Sequence, residues 1–264
     1  MSKKGAADGG EDRIVVTPHF LAVIDGATAK KAYDFGGPTG GAMAANALVR
    51  AVEQLNPQAN AQEATAAFTA LVKRDVFDAF GLAPAAGEDR PCANIVMYSV
   101  ARQEIWRIGD SHFAINDQPN HGGKYIDKQN AEHRAAINNA FLANGGTLEQ
   151  LAENDIGRNA IMSSLNSQSM FMNNAAAGKY GFGFIDGRDV PPQFIEVVPV
   201  PAGAAVTLAS DGYLELKPTL AASELYLADY LKSDPMLIGK HASTKGLAQG
   251  QVSFDDRAWL RFTP

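Results

Sequence analysis

The sequence predicts an α+β domain whose strands pair antiparallel. Strand-like runs come in neighbouring pairs joined by short turns, and helix-like runs come in pairs between them. The length of 264 residues suits one large domain or two small ones. No stretch rich in Pro, Gly or Ser divides the chain, so a single domain over residues 11–264 is expected, with residues 1–10 as a flexible tail that is small, charged and Gly-rich.

The elements follow in order. Ile14 to Thr17 and Phe20 to Ile24 are β-type runs, the second closing on Asp25-Gly26. Gly36, Gly37, Pro38, Gly40 and Gly41 mark a loop leading into an Ala- and Leu-rich helix, Ala42 to Gln54. A second helix is expected over Ala61 to Phe80, and a loop from Gly81 to Pro91. Asn94 to Val100 and Glu104 to Asn116 read as paired strands around a polar turn at Arg102-Gln103. Glu132 to Leu142 and Thr147 to Glu153 read as helices. Residues 154–189 show no steady period and are expected as an irregular, flap-like excursion, with Met162, Met170 and Met172 as adaptable packing. Strands resume at Phe194 to Val198 and Ala205 to Ala209, a helix covers Ala221 to Leu231, and Trp259 to Phe262 is the last strand.

Composition removes several function classes. The chain is 46% hydrophobic and 20% charged, with a formal charge of −6, which argues against nucleic acid as a partner because phosphate backbones need clustered Lys and Arg. No apolar run approaches the ~20 residues of a membrane span, and no apolar segment follows Lys3-Lys4, so a soluble, cytoplasmic protein is expected. One cysteine, Cys92, excludes an internal disulfide and a multi-cysteine zinc site, and reads as a buried small residue. His19, His121, His133 and His241 lack metal-ligand spacing, and His112 reads as structural. The Gly36 to Gly41 loop is followed by Ala42-Met43 instead of Lys-Ser or Lys-Thr, so it is not a P-loop. Lys30 and Lys31 read as solvated.

The carboxylates carry the functional signal. Glu11-Asp12, Asp25-Gly26, Gly109-Asp110-Ser111, Ser210-Asp211-Gly212 with Glu215, and Asp255-Asp256 each border a predicted strand. Singly, each is the composition of an ordinary turn. As an ordered set they place acidic groups at strand ends, where mutual repulsion calls for cations. Oxygen-only ligands suit the hard ions Mg²⁺ or Mn²⁺. Two such ions about 3.5–4 Å apart can share a water and clamp the oxygens of an in-line displacement at phosphorus.

These motifs resemble those of the PP2C/PPM metal-dependent serine/threonine phosphatases. The family's "ED, strand, strand, DG" opening is similar to Glu11-Asp12 with Asp25-Gly26, its GDS turn to Gly109-Asp110-Ser111, and its SDG-x-x-D to Ser210-Asp211-Gly212-Tyr-Leu-Glu215. Its late acidic pair is similar to Asp255-Asp256, and weaker echoes are Glu132-His133, Gly145-Gly146 and Arg158-Asn159. The resemblance spans residues 11 to 262. It implies a four-layer α-β-β-α sandwich of two antiparallel sheets flanked by helices. It also implies Asp25, Asp211 and Asp255 as catalytic residues. Asp25 would bridge two core Mn²⁺ or Mg²⁺ ions and the Gly26 carbonyl would bind one of them. Asp211 and Asp255 would hold the other, with Glu11 and Asp12 acting through water. Asp110, Asp211 and Glu215 would line a third, weaker site.

Three departures stand beside this. Ala7 occupies the place of a phosphate-gripping Arg, for which Arg13, Lys3 and Lys4 are the candidate substitutes, with nothing in the sequence to choose among them; Ala27 follows Asp25-Gly26 where some members have His as general acid; and His112 replaces Arg after the GDS turn. The function implied is a Mn/Mg-dependent phosphomonoester hydrolase acting on phosphoserine or phosphothreonine in a phosphorylated protein. The alternatives are a small phosphorylated metabolite as substrate, or a phosphatase-like binding module with little activity.

Overall fold

The fold is described from a computed structural model covering residues 1–6, 10–27, 29, 33–84 and 87–264. Among these residues, nine strands make two antiparallel sheets. The first has the order β1 (Arg13–Val16), β2 (Phe20–Ala27), β3 (Cys92–Ser99), β4 (Glu104–Ile108), β7 (Glu196–Pro199). The second has the order β6 (Gln118–Asn120), β5 (His112–Ile115), β8 (Val206–Ala209), β9 (Trp259–Phe262).

Period-two alternation sorts the side chains onto two faces. On β2, Phe20, Ala22 and Ile24 face outward with Ile95, Met97, Trp106 and Ile108 of β3 and β4. They meet Ala44, Leu48 and Val52 of α1 (Gly40–Gln54) and Phe68 of α2 (Ala61–Val72). The opposite face, with Val23, Val96, Tyr98 and Ile105, packs on Phe113, Val206 and Leu208 of the second sheet. Ala114 and Ala209 on that sheet's outer face meet Leu227 and Leu231 of α6 (Leu220–Ser233). The sequence of layers is therefore helix, sheet, sheet, helix, which is the expected architecture. Trp106 has no exposed surface, and replacing its ring by alanine costs about 3–5 kcal/mol in such a setting.

Side-chain caps start α1 and α2. Thr39 accepts from the Ala42 amide at 3.2 Å to open α1, and Asn60 with Glu63 forms a capping box for α2. α3 (Tyr125–Ala143) packs against α5 (Ile156–Ser167), with the short α4 (Leu148–Glu153) between them in the chain. No helix among the described residues is long and apolar enough to cross a membrane.

Four local expectations are revised. The helix expected to Phe80 is α-helical only to Val72; a wide π-type turn, Lys73–Phe77, then carries Val76 and Phe77 into the core. The strand expected over Glu104 to Asn116 is cut in two at Gly109, whose φ of +107° sends the chain from one sheet to the other. A Cβ there would lie 2.2 Å from Asn94 Cβ, so the crossing also needs the missing side chain. Within the 154–189 excursion lies a twelve-residue helix, α5, opened by Asp155, which accepts from the Arg158 amide at 2.8 Å. The opening residues are not loose: Ser2 is buried, and Val252 N donates to Lys3 O at 2.9 Å and Arg257 N to Met1 O at 2.9 Å.

Candidate metal centre

Antiparallel pairing gathers the acidic motifs. Asp25 at the far end of β2 pairs in register with Asn94 at the start of β3, and Ile95 pairs with Ile108, the last residue of β4. The chain then turns through Gly109-Asp110-Ser111 into β5, whose first residue, His112, pairs with Ala209 at the end of β8. Ala209 pairs in turn with Trp259, which opens β9 just after Asp255-Asp256. The ends of β2, β4 and β8 and the starts of β3, β5 and β9 thus share one end of the sandwich. Asp25 and Asn94 have the parity of Val23 and Val96, which places both between the sheets.

Three carboxylates meet there. Asp25, Asp110 and Asp211 each present an oxygen, and the three oxygens lie within 4.8 Å of one another. Asp25 and Asp211 are held well above the usual carboxylate range, first by burial, then by neighbouring charges: Asp12, Asp211, Asp255 and Asp110 act on Asp25, and Asp110 and Asp255 on Asp211. Asp12 is pushed up to about 6 by burial, with relief from Ser210 and Asp25 beside it and added repulsion from Asp255 and Asp256. No hydrogen bond of good distance and angle reaches either buried oxygen of Asp12, nor Oδ1 of Asp110. A buried carboxylate without a donor is costly. Orphaned anionic oxygens next to three converging ones fit a divalent cation, and the all-oxygen donor set suits a hard one. Asp12, Asp25, Asp110 and Asp211 are the residues that could hold it.

The neighbouring atoms are closely fitted. Asn94 Nδ2 donates to Asp25 Oδ2 at 3.1 Å, while the Ser111 hydroxyl donates to Asn94 Oδ1, so one amide ties the β2 end to the Gly109-Asp110-Ser111 turn. Gly212 lets the Asp211 turn lie against the Asp255-Asp256 segment, since a Cβ would sit 2.0 Å from Asp256 O. Asp256 itself accepts from Lys3 N at 2.7 Å and Glu11 N at 2.8 Å, which fixes the Glu11-Asp12 segment in place.

Two lysines that the sequence reading did not single out complete the site. Lys124 bonds Asp110 Oδ2 at 2.8 Å and Asp127 Oδ2 at 3.0 Å, and lies 4.8 Å from the Phe184 ring centre. Burial alone would lower its pKa, but the two carboxylates outweigh that and hold it well above the ordinary lysine value. Lys245 bonds Asp255 Oδ2, and Asp255, Asp211 and Asp25 together raise its pKa against burial. Both lysines line a cavity of about 690 Å³ that also meets Asp25, Asp110, Asp211 and Asp255. Lys124 stands before the first apolar residue of α3 and Lys245 lies in an irregular loop, so neither had a periodic or motif signal.

The other predicted residues are distributed around this centre. Glu11 accepts from the Thr39 hydroxyl, and Gly26 is so close to Gly41 that a Cβ would lie 2.5 Å from its carbonyl oxygen. Glu215 is outside the converging trio and pairs with Lys240 at 3.1 Å, with His241 Nε2 at 3.8 Å. Asp255 faces Lys245 through Oδ2 and Lys3 through Oδ1 at 3.7 Å. His112 is buried, accepts from Gly122 N at 3.1 Å, and is pulled down to about 3 by burial and then by His121 and Arg107. His121 and His241 also reach the cavity wall. Cys92 is buried and burial pushes its thiol pKa up, away from nucleophilic use. Arg13 is turned away from the carboxylate trio, onto Asn46 and the Gly10 and Asp12 carbonyls. Ala7, Lys30 and Lys31 lie outside the described residues.

No family model and no curated protein matches the chain. Among solved structures it is similar to the serine/threonine phosphatase PstP/Ppp of Mycobacterium tuberculosis: 14% identity over 97% of this chain and 92% of that one, TM-score 0.46. It is similar to the PstP catalytic domain in complex with two manganese ions, at 16% identity over 87% and 82% of the chains, TM-score 0.45. It is also similar to PppA, a regulatory component of T6SS in Pseudomonas aeruginosa, at 10% identity over 97% and 92%, TM-score 0.42.

Proposed function

We propose that this chain is a divalent-metal-dependent phosphomonoester hydrolase of the PP2C/PPM type. The observation that carries the reading is the convergence of Asp25, Asp110 and Asp211 beside the orphaned oxygens of Asp12 at the end of the sandwich. The order of acidic motifs along the chain, from Glu11-Asp12 to Asp255-Asp256, supports it independently. Phosphorylated serine or threonine in a protein is the substrate class that this motif order implies.

A bound Mn²⁺ or Mg²⁺ supplies an acidified water and charge neutralisation at a phosphoryl group. The chain's own residues then have separable tasks. Asp12, Asp25, Asp110 and Asp211 would hold the cation, and Asn94 keeps the Asp25 carboxylate turned to its β4–β5 neighbour. Lys124 fixes Asp110 Oδ2 and leaves Oδ1 free for the centre. His121 and His241 are lowered below the ordinary imidazole pKa, first by burial, and are neutral at pH 7, so neither is a ready proton donor. The leaving-group proton is therefore assigned to solvent in the cavity.

The test is hydrolysis of an aryl phosphate with Mn²⁺, with Mg²⁺ and with EDTA, beside Asp25→Asn. Metal-dependent turnover lost in EDTA and in the variant is expected; turnover surviving both would falsify the proposal. A panel of phosphopeptides and sugar phosphates then separates protein from metabolite substrates. A second reading, a binding module of low activity, is favoured by the lysines seated on Asp110 and Asp255. It predicts Mn²⁺ binding without turnover.

A further inference from the structure

The carboxylates at this end of the sandwich differ in how well they are neutralised. No hydrogen bond of good geometry reaches either oxygen of Asp12, although Ser210 lies beside it, and none reaches Oδ1 of Asp110. Asp255 is fully engaged: Lys245 Nζ bonds Oδ2, while Oδ1 takes the Asp256 amide at 3.0 Å and faces Lys3 Nζ at 3.7 Å. Lys245 lines the same cavity as Asp25, Asp110, Asp211 and Asp255, so it stands on the wall that these carboxylates share.

Its position is built. The loop carrying Lys245 is clamped by two arginines from the neighbouring helices. Arg134 of α3 is fully buried and donates Nη1 to Ser243 O at 2.9 Å and to Leu237 O at 3.3 Å. Its other edge meets Asp155 Oδ2 at 2.8 Å and 2.6 Å, and Asp155 caps α5. Arg158 of α5 donates to Thr244 O at 2.6 Å, one residue before Lys245. The buried Arg134 guanidinium with its fixed fork geometry, and the half-buried Arg158 beside it, hold this backbone segment in one place. This loop has almost no regular structure of its own, so the arginines supply its order.

We propose that Lys245 is a resident counter-cation that takes the Asp255 side of the centre. On this assignment the protein binds one divalent ion tightly through Asp25, Asp110 and Asp211, with Asp12 beside them. A second ion, toward Asp255 and Asp211, binds only by displacing the ammonium. The inference rests on the metal reading above and adds to it a stoichiometry that the chain itself imposes. Arg134 and Arg158 act as positioning residues, and through them the packing of α3 against α5 sets how readily Lys245 leaves.

Calorimetric titration of the full chain with MnCl₂, with electron paramagnetic resonance counting free Mn²⁺, reads this without any substrate. Wild type is expected to bind one ion tightly and a second at least tenfold more weakly. Lys245→Met is expected to tighten the second by tenfold or more, whereas Lys245→Arg keeps the wild-type pattern. Arg158→Gln releases the Thr244 carbonyl without touching a carboxylate, and is expected to shift the second affinity the same way as Lys245→Met. It decides the matter should Lys245→Met not fold. Two equal sites in wild type, or an unchanged second affinity in the released variants, would overturn this proposal alone. Absence of any Mn²⁺ binding would overturn the metal reading and this proposal with it.

Discussion

Asp12 and Asp256 belong to the same acidic end of the sandwich, yet their surroundings are opposite. Both oxygens of Asp256 accept main-chain amides, from Lys3 and Glu11. Both oxygens of Asp12 are buried and accept none. A buried carboxylate with two amide donors is a structural anchor, because the charge-assisted bonds offset its desolvation. A buried carboxylate with no donor persists only where the rest of the fold over-determines its position or a cation completes it. The contrast separates a scaffold side at Asp256, held by two amides, from the proposed binding side, Asp12, Asp25, Asp110 and Asp211.

The sharpest test acts on the binding side. Asp25→Asn removes one of the three converging charges, and hydrolysis is expected to fall about a thousandfold or more, about 4 kcal/mol of transition-state stabilisation. The same variant in the metal-free state is expected to be at least as stable as wild type, because it deletes a buried charge raised by burial and four neighbouring carboxylates. Loss of activity with gain of metal-free stability is the signature of a residue kept for binding. Calorimetry and aryl phosphate assays on one preparation check both.

On the scaffold side the signs reverse. Asp256→Ala leaves the Lys3 and Glu11 amides without acceptors, and a loss of about 3 kcal/mol in urea unfolding is expected. Each amide contributes, since hydrogen bonds to a charged acceptor are worth about 1.5–3 kcal/mol. Stability unaffected by this change would erase the distinction between the two sides.

The gathering of the acidic motifs was legible in the sequence, whereas this division was not, since Asp255 read as a metal ligand beside Asp25 and Asp211. The five acidic motifs border strands because antiparallel pairing brings alternate strand ends together, and the four-layer packing follows from the alternation of Ile24 and Val23, or Ile95 and Val96, onto opposite faces. The anchoring role of Asp256 was not legible, since its partners lie some 250 residues away in the chain, at Lys3 and Glu11. Lys124 and Lys245 escaped for the same reason: a lone lysine carries no periodic signal, and only the folded chain brings it to Asp110 or Asp255. The opening residues read as a tail on composition, which says nothing of backbone bonds to Val252 and Arg257. Helix α5 was missed because its apolar face is sparse, with only Gly157, Ile161 and Leu165 buried, and its start depends on Asp155.

pH separates the two sides without mutation. Asp12 has a folded pKa near 6, above the 3.8 of an unperturbed aspartate, so between those values the folded state holds more protons than the unfolded one. Its contribution therefore rises as pH falls from about 7 toward 4, by about 3 kcal/mol at full protonation. Asp25 and Asp211 are raised in the same direction. His112, lowered to about 3 by burial, works oppositely and loses stability as pH drops through 6.5. His121 and His241 are lowered too, and the three raised carboxylates are expected to outweigh the three lowered imidazoles, so metal-free protein is expected to melt at higher temperature at pH 5 than at pH 7. Saturating Mn²⁺ is expected to invert that order, because protons and the cation compete for the same oxygens. Identical slopes with and without metal would place the cation elsewhere.

The smallest effect is expected at the joint between the sheets. Asn94 donates to Asp25 Oδ2 and accepts from Ser111, which spans the gap between β2 and the turn that carries Asp110. Asn94→Ala deletes both bonds without adding charge. The Asp25 oxygen it releases is partly exposed to the cavity and can be re-solvated, whereas the buried Ser111 hydroxyl loses its acceptor, so the stability lost is about 2 kcal/mol. Metal affinity is expected to fall by less than tenfold, since the ligand is loosened but retained. Asn94→Asp offers a sharper variant at the same site, because it replaces the amide donor with a further carboxylate facing Asp25. That change is expected to destabilise the metal-free protein more than alanine does and to lose the excess on Mn²⁺ binding. A scaffold residue would show no such rescue.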